Sequence, residues 1–188
     1  TVKGSLLGVD LVQIETPGDI YLADGAVIEA ETINFISEFG SIFGEEGSLI
    51  CGTTLTSTTR GAVHAYTDVL ALDIAVLGQG DIAIFDSDLL GRDKTVGVND
   101  VTTAMGTVMI MTDGDMNAYH VGGDNINLTA QGEGSIGVGL LETWGSVIDL
   151  DAARFIRPIA GIQPQVIASD VRVLSGLDNV VPEEVWFD

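Results

Sequence analysis

"GTVMIMTDGDMNAYHVGGDNINLTA", residues Gly106 to Ala130, decides how this chain is read. Three aspartates and three asparagines crowd around its glycines, between two short alternating apolar runs. It is either an acidic loop built for metal or catalysis, or one coil of a repetitive scaffold with acidic corners. Its first half has counterparts elsewhere. Glycine, a small or acidic residue, an aliphatic residue and then alternation recur as "GDIYLAD" at Gly18, "GSIFGEE" at Gly40, "GAVHAYT" at Gly61 and "GDIAIFD" at Gly80. Related phrases open at Gly4, Gly134 and Gly145. The middle spacings are 40−18=22, 61−40=21, 80−61=19 and 106−80=26, an irregular period near twenty.

Within each unit the period is two. Ile82 and Ile84 alternate with Asp81 and Ala83, and Val108 and Ile110 repeat that order. Ile126 and Leu128 alternate with Asn125, Asn127 and Thr129. Such alternation marks strands buried on one face. Gly, Asn and Asp separate the runs, as tight turns require. Helical patterns are weak: the best, Ala152 to Ile156, is cut off by Pro158. The expectation is therefore an all-β chain, a parallel β-helix (β-solenoid) of roughly eight irregular coils of about 19–26 residues. Residues 1–176 form the repeat domain, and 177–188, where Pro182 and two glutamates break the alternation, form a cap or linker. In the opening stretch we expect a strand, a turn at Asp113–Asp115, a loop carrying Tyr119 and His120, and a new strand from Asn125.

Composition limits the function. The chain of 188 residues carries 28 acidic and 7 basic side chains, a formal charge of −21. That charge repels a phosphate backbone, so nucleic-acid binding is excluded as a working reading. It disfavours an anionic membrane surface for the same reason, and no apolar run is long enough for membrane insertion as a helix. Yet 46% of residues are apolar, enough for a core rather than a disordered acidic tail. The start at Thr1, without methionine or leader, suggests a processed product or a piece of something longer. Cys51, the single cysteine, excludes an internal disulfide and reads as a small buried residue.

"GDIYLADGAVIEAETINF", "GDIAIFDSD" and "GGDNINLTAQGEGSIGV" resemble the coils of filamentous-haemagglutinin-like and autotransporter passenger-like adhesins. That resemblance covers about Gly4 to Gly176. It implies a right-handed parallel β-helix at the cell surface or outside the cell, non-enzymatic, with a surface glycan or protein as partner. It rests on a degenerate pattern, and no Asn-Pro-Asn-Gly secretion signature is present.

The candidate site residues follow. Asp86 and Asp88 in "IFDSD" correspond to Asp113 and Asp115 in "IMTDGD" with one residue inserted, since Ile84 to Ile110 is 26 and Asp86 to Asp113 is 27. Stacked coils could gather these four carboxylates on one edge near Asp93 and Asp124, an oxygen-rich edge of the kind Ca²⁺ accepts. The competing reading is that Asp and Gly mark solvated turns, and no other cofactor is expected. The same edge, with Arg92 and Lys94, could serve a polysaccharide-active β-helix. An inverting hydrolase, however, needs two carboxylates about 6.5–9.5 Å apart in a cleft, and acidic corners alone do not supply one. His64 and His120 lack zinc-site spacing. "GEGSIG" matches the dinucleotide fingerprint but precedes no helix. Trp144 and Tyr119 are the candidates for stacking on a glycan, Trp186 a weaker one. A third reading, end-to-end self-association into a filament or sheath, follows from the open strand edges of any solenoid.

Overall fold

In the computed structural model, residues 1–89 and 95–176 are described, and they contain strands and turns but no helix. The strands are β1 (Ser5–Leu7), β2 (Leu11–Thr16), β3 (Ile20–Leu22), β4 (Val27–Ser37), β5 (Ile42–Gly44), β6 (Leu49–Thr59), β7 (Val63–Asp68) and β8 (Ala71–Gln79). They continue as β9 (Ile82–Asp86), β10 (Thr95–Met105), β11 (Thr107–Thr112), β12 (Asp115–Ala130), β13 (Ile136–Ala152), β14 (Ile156–Pro158), β15 (Gln165–Ile167) and β16 (Asp170–Ser175). All pair in parallel, in one wound sheet of about eight turns. The chain is a β-solenoid. The proposed cap, 177–188, lies outside the described residues, as do Arg92, Asp93, Lys94 and Trp186.

Two walls make up each turn. The first stacks β4, β6, β8, β10 and the leading parts of β12 and β13, with β1 and β2 at one end and β14 and β15 at the other. The second stacks β3, β5, β7, β9, β11, the trailing parts of β12 and β13, and β16. Neighbouring coils are offset by as little as 17 residues (Thr54 to Ala71) and as much as 27 (Asp73 to Asp100), wider than the spacing of the glycine phrase suggests.

Register explains the apolar alternation. On the second wall Ile20, Ile42, Val63, Ile82, Val108, Ile126, Ile148 and Val171 form one inward column of eight rungs. The first wall answers with Val12, Ile33, Leu55, Leu72, Val98, Ala118 and Val138. β-Branched side chains fit these pleated, stacked surfaces, and both columns belong to a single buried core. Cys51 is buried, as expected of a small apolar side chain.

Glycine marks the corner between the walls because coils meet there backbone to backbone. Gly61 N donates to Gly40 O at 2.8 Å and Asp124 N to Gly106 O at 2.7 Å. A Cβ on Gly80 would stand 2.6 Å from Ala62 N, a contact no side chain tolerates. Buried hydroxyls clamp the same corner: Ser37 Oγ donates to Gly18 O at 2.9 Å and Thr103 Oγ1 to Gly80 O at 2.7 Å. Thr59 Oγ1 does the same for Gly40 O. The residue after the glycine is small or acidic for a related reason. Asp19 Oδ1 accepts from Ser41 N at 2.8 Å, and Asp81 Oδ1 from Thr107 N at 2.7 Å, each bridging two coils. Gly4 and Gly134 do not share this corner; they precede the first wall, at Ser5 and Ile136. One phrase thus marks two different corners.

The opening stretch departs from expectation in one respect. Met116 to Asp124 is not a loop but part of the continuous strand β12. Two successive outward residues, Tyr119 and His120, bend the wall there, and pairing to the neighbouring coils resumes at once. A bend at constant pairing interrupts alternation without interrupting the strand.

Candidate binding face

The four aspartates come first. Register pairs Asp86 with Thr112, so Asp113 falls one position later. Because side chains alternate along a strand, one position reverses the direction. Asp86 points inward, is 3% exposed, and accepts Thr67 Oγ1 at 2.8 Å and Val69 N at 3.0 Å. Asp113 is exposed at the turn. Asp115 is half-buried and its Oδ1 accepts from Ser135 N at 2.7 Å, the same inter-coil bridge that Asp19 and Asp81 make. Asp88 is half-buried beyond the end of β9. Asp86 and Asp113 therefore stand on opposite sides of the wall rather than along one edge. Among the described residues no group of three or more His, Cys, Asp or Glu side chains is arranged to hold a metal ion.

Tyr119 and Trp144 are both brought to the outer surface of the first wall, 38% and 52% exposed. Each leans back over a glycine of the preceding coil. Tyr119 Cε2 lies 3.8 Å from where a Cβ of Gly97 would stand, and Trp144 Cη2 lies 3.0 Å from that of Gly122. Gly122 is thus the seat that lets a half-exposed indole lie against the sheet. The rings lie over the positions of Asn117 and Gly122, five residues apart along β12, so the two aromatics flank a strip about 16 Å wide along a straight strand, shortened by the bend at Tyr119 and His120.

Charged groups fill that strip. His120 Nδ1 lies 2.9 Å from Asp100 Oδ1 and its Nε2 3.2 Å from Glu142 Oε1, one carboxylate on each neighbouring coil. Asp73 stands in register with Asp100 and accepts Asn99 Nδ2 at 3.2 Å. Glu142 is the register partner of Gly122, directly beside the indole. Two aromatic surfaces and a carboxylate–imidazole–carboxylate bridge across three coils form a shallow, polar-centred platform. The sequence shows His120 next to Tyr119, but its carboxylate partners lie 20 and 22 residues away in the chain, and only register brings them together.

The second wall presents a different outer surface. His64, Tyr66 and Phe85 form one ring cluster, with Tyr66 and Phe85 stacked at 5.2 Å and 22° and His64 at 5.3 and 5.4 Å from them. His64 is outward, as its alternation suggested, and among the described residues it belongs to no metal-like set; its Nδ1 contacts Gly44 O at 3.0 Å. Met109 and Met111 follow on the next coil.

Comparison with protein families, with curated proteins and with solved structures gives no match, so the likeness to surface adhesins rests on the coil pattern alone.

Proposed function

We propose that this chain is a non-enzymatic β-solenoid rod, displayed outside the cell or at its surface, that binds a glycan on the outer face of its first wall. The observation carrying this reading is Trp144, held half-exposed over Gly122 beside Glu142 and the Asp100–His120–Glu142 bridge. Aromatic rings offer an apolar surface to the C–H face of a sugar, and a few polar groups nearby fix its orientation. Here the carboxylate oxygens not turned to His120 accept sugar hydroxyls, and the imidazole, with both ring nitrogens on carboxylates, holds Asp100 and Glu142 in position. A stiff hydrogen-bonded stack holds these groups in place without a loop that must order on binding.

Glycan-array screening followed by calorimetry on the whole chain tests the reading. Trp144→Ala lowers glycan affinity at least tenfold and Trp144→Phe lowers it less, with unchanged thermal unfolding. If no glycan binds and a protein partner is captured through the same face, the glycan reading fails. One observation favours a second reading: an imidazole touching two carboxylates could move protons in a polysaccharide-active enzyme. Release of reducing ends or unsaturated products from a glycan panel, abolished by His120→Ala, would replace the non-enzymatic reading.

A further inference from the structure

The outer surface of the second wall carries a depression of about 530 Å³ across β12, β13 and β16, lined by Asn127, Thr129, Asp149, Asp151, Arg172 and Leu174. It lies within the size range of small-ligand sites. Register orders one column as Met111, Thr129, Asp151 and Leu174: apolar, hydroxyl, carboxylate, apolar. The neighbouring column is already satisfied. Asn127, oriented by its hydrogen bonds, donates to Asp149 Oδ2 at 3.2 Å, and Arg172 lies 3.9 Å from Asp149 and 3.4 Å from Asp170. Thr129 Oγ1 and the Asp151 carboxylate, by contrast, hold no hydrogen bond or ion pair with a described residue.

We infer that this depression is a second binding site and that it takes a hexose unit of a polysaccharide, neutral or amino, that carries no carboxylate. Three carboxylates stand against one guanidinium that two of them already hold, so a uronate is repelled. A simple amine would engage Asp151 alone, whereas the ammonium of an amino sugar adds to the hydroxyl and C–H contacts, so amino hexoses are admitted beside neutral ones. A hexose unit uses the centre of the column and one end, with vicinal hydroxyls on Asp151 and Thr129 and its C–H surface on Leu174, 66% exposed. Met111, three rungs or about 14 Å from Leu174, meets the next unit of the polysaccharide. Beyond Met111 the same column runs to Phe85 and Tyr66, so a longer chain lies along the solenoid axis. This site shares no residue with the platform at Trp144.

The test uses the whole chain carrying Trp144→Ala, which silences the first face, and hexamers of neutral hexose, galacturonate and glucosamine in calorimetry. Neutral hexamer binding persists, and adding Thr129→Val with Asp151→Ala weakens it at least tenfold; Asp151→Asn alone weakens it less. Unchanged affinity in that triple variant overturns the inference. So does tighter binding of the galacturonate hexamer than of the neutral or glucosamine hexamer. Loss of all binding with Trp144→Ala alone also overturns it, and leaves the platform at Trp144 as the glycan site. Thermal unfolding of each variant confirms that the fold is retained.

Discussion

Tyr21 and Glu45 lie on neighbouring coils, and the phenol donates to the Glu45 carboxylate, which also accepts Asp24 N at 2.7 Å. Those two hydrogen bonds, the one from Tyr21 first, hold the Glu45 carboxyl below its ordinary value of 4.5. The same bond raises Tyr21 above 10.0. A lowered carboxyl stabilises the fold above about 4.5 and loses that contribution as pH falls through the lowered folded value; a raised phenol stabilises below about 10 and loses it as pH rises further. Glu45 is exposed and Tyr21 half-buried on the outer face, so the effect is small. Tyr21→Phe should lower the unfolding temperature at pH 7 and not at pH 2.5, the two melting curves converging below pH 4.5. Parallel curves across that range would show that the bond does not persist in solution. The same scale shows why the acidic residues misled. Asp86 and Asp113 look equivalent in sequence, yet one register position turns the first inward and the second outward. The outward aromatics Tyr66 and Phe85 were equally visible as letters, but nothing short of register shows that they stack.

Two hydroxyls at the element scale make opposite predictions. Ser57 sits in the inward column between Phe35 and Ile74, and its Oγ is buried without a partner. Ser57→Ala removes an unpaired buried polar atom and should stabilise by about 1 kcal/mol. Thr103 is equally buried, but its hydroxyl clamps the glycine corner by donating to Gly80 O. Thr103→Val keeps the shape and strips that donor, and should cost about 1–3 kcal/mol. Equilibrium denaturation of both variants checks the pair; the same sign for both would remove the corner clamp as a structural account. Elements were legible where inside and outside alternate without a break, as in "GDIAIFD" and "GTVMIMT". They were illegible where a wall bends within a strand. Tyr119 and His120 face outward in succession, and Gly122 and Gly123 follow, so period two lapses although β12 pairs on both sides. The glycines of the recurring phrase were read as turn residues needing positive φ, but of those at the corner between the walls only Gly106 has it. Close backbone approach keeps side chains out at Gly40, Gly61 and Gly80, and Gly134 opens a different corner for a reason that lies in pairing.

Across the whole molecule, stability follows the stack, because each coil touches only the coils beside it. The middle rungs Val63, Ile82, Val108 and Ile126 are at most 1% exposed, each covered above and below. The first turn exposes Leu7 at 68%, Val9 at 87% and Leu11 at 53%, and every residue of β16 is half-buried or exposed. Opening an end coil uncovers little apolar surface, whereas opening a middle coil breaks two interfaces. Native-state hydrogen exchange should therefore be slowest in β7, β9 and β11 and faster in β1, β2, β14, β15 and β16. The charge of −21 sharpens this, since mutual repulsion acts along the full length and is screened by salt. Raising sodium chloride from 20 mM to 1 M should raise the unfolding temperature, slow exchange at the end coils, and leave the order of protection unchanged. Calcium chloride at matched ionic strength should do no more; a larger shift, lost with Asp113→Ala, would restore a metal-bearing edge. Uniform protection from β1 to β16 would mean that the end coils are covered in solution, by another copy stacking on an open edge or by a neighbouring segment, and dilution separates these two because only the first depends on concentration.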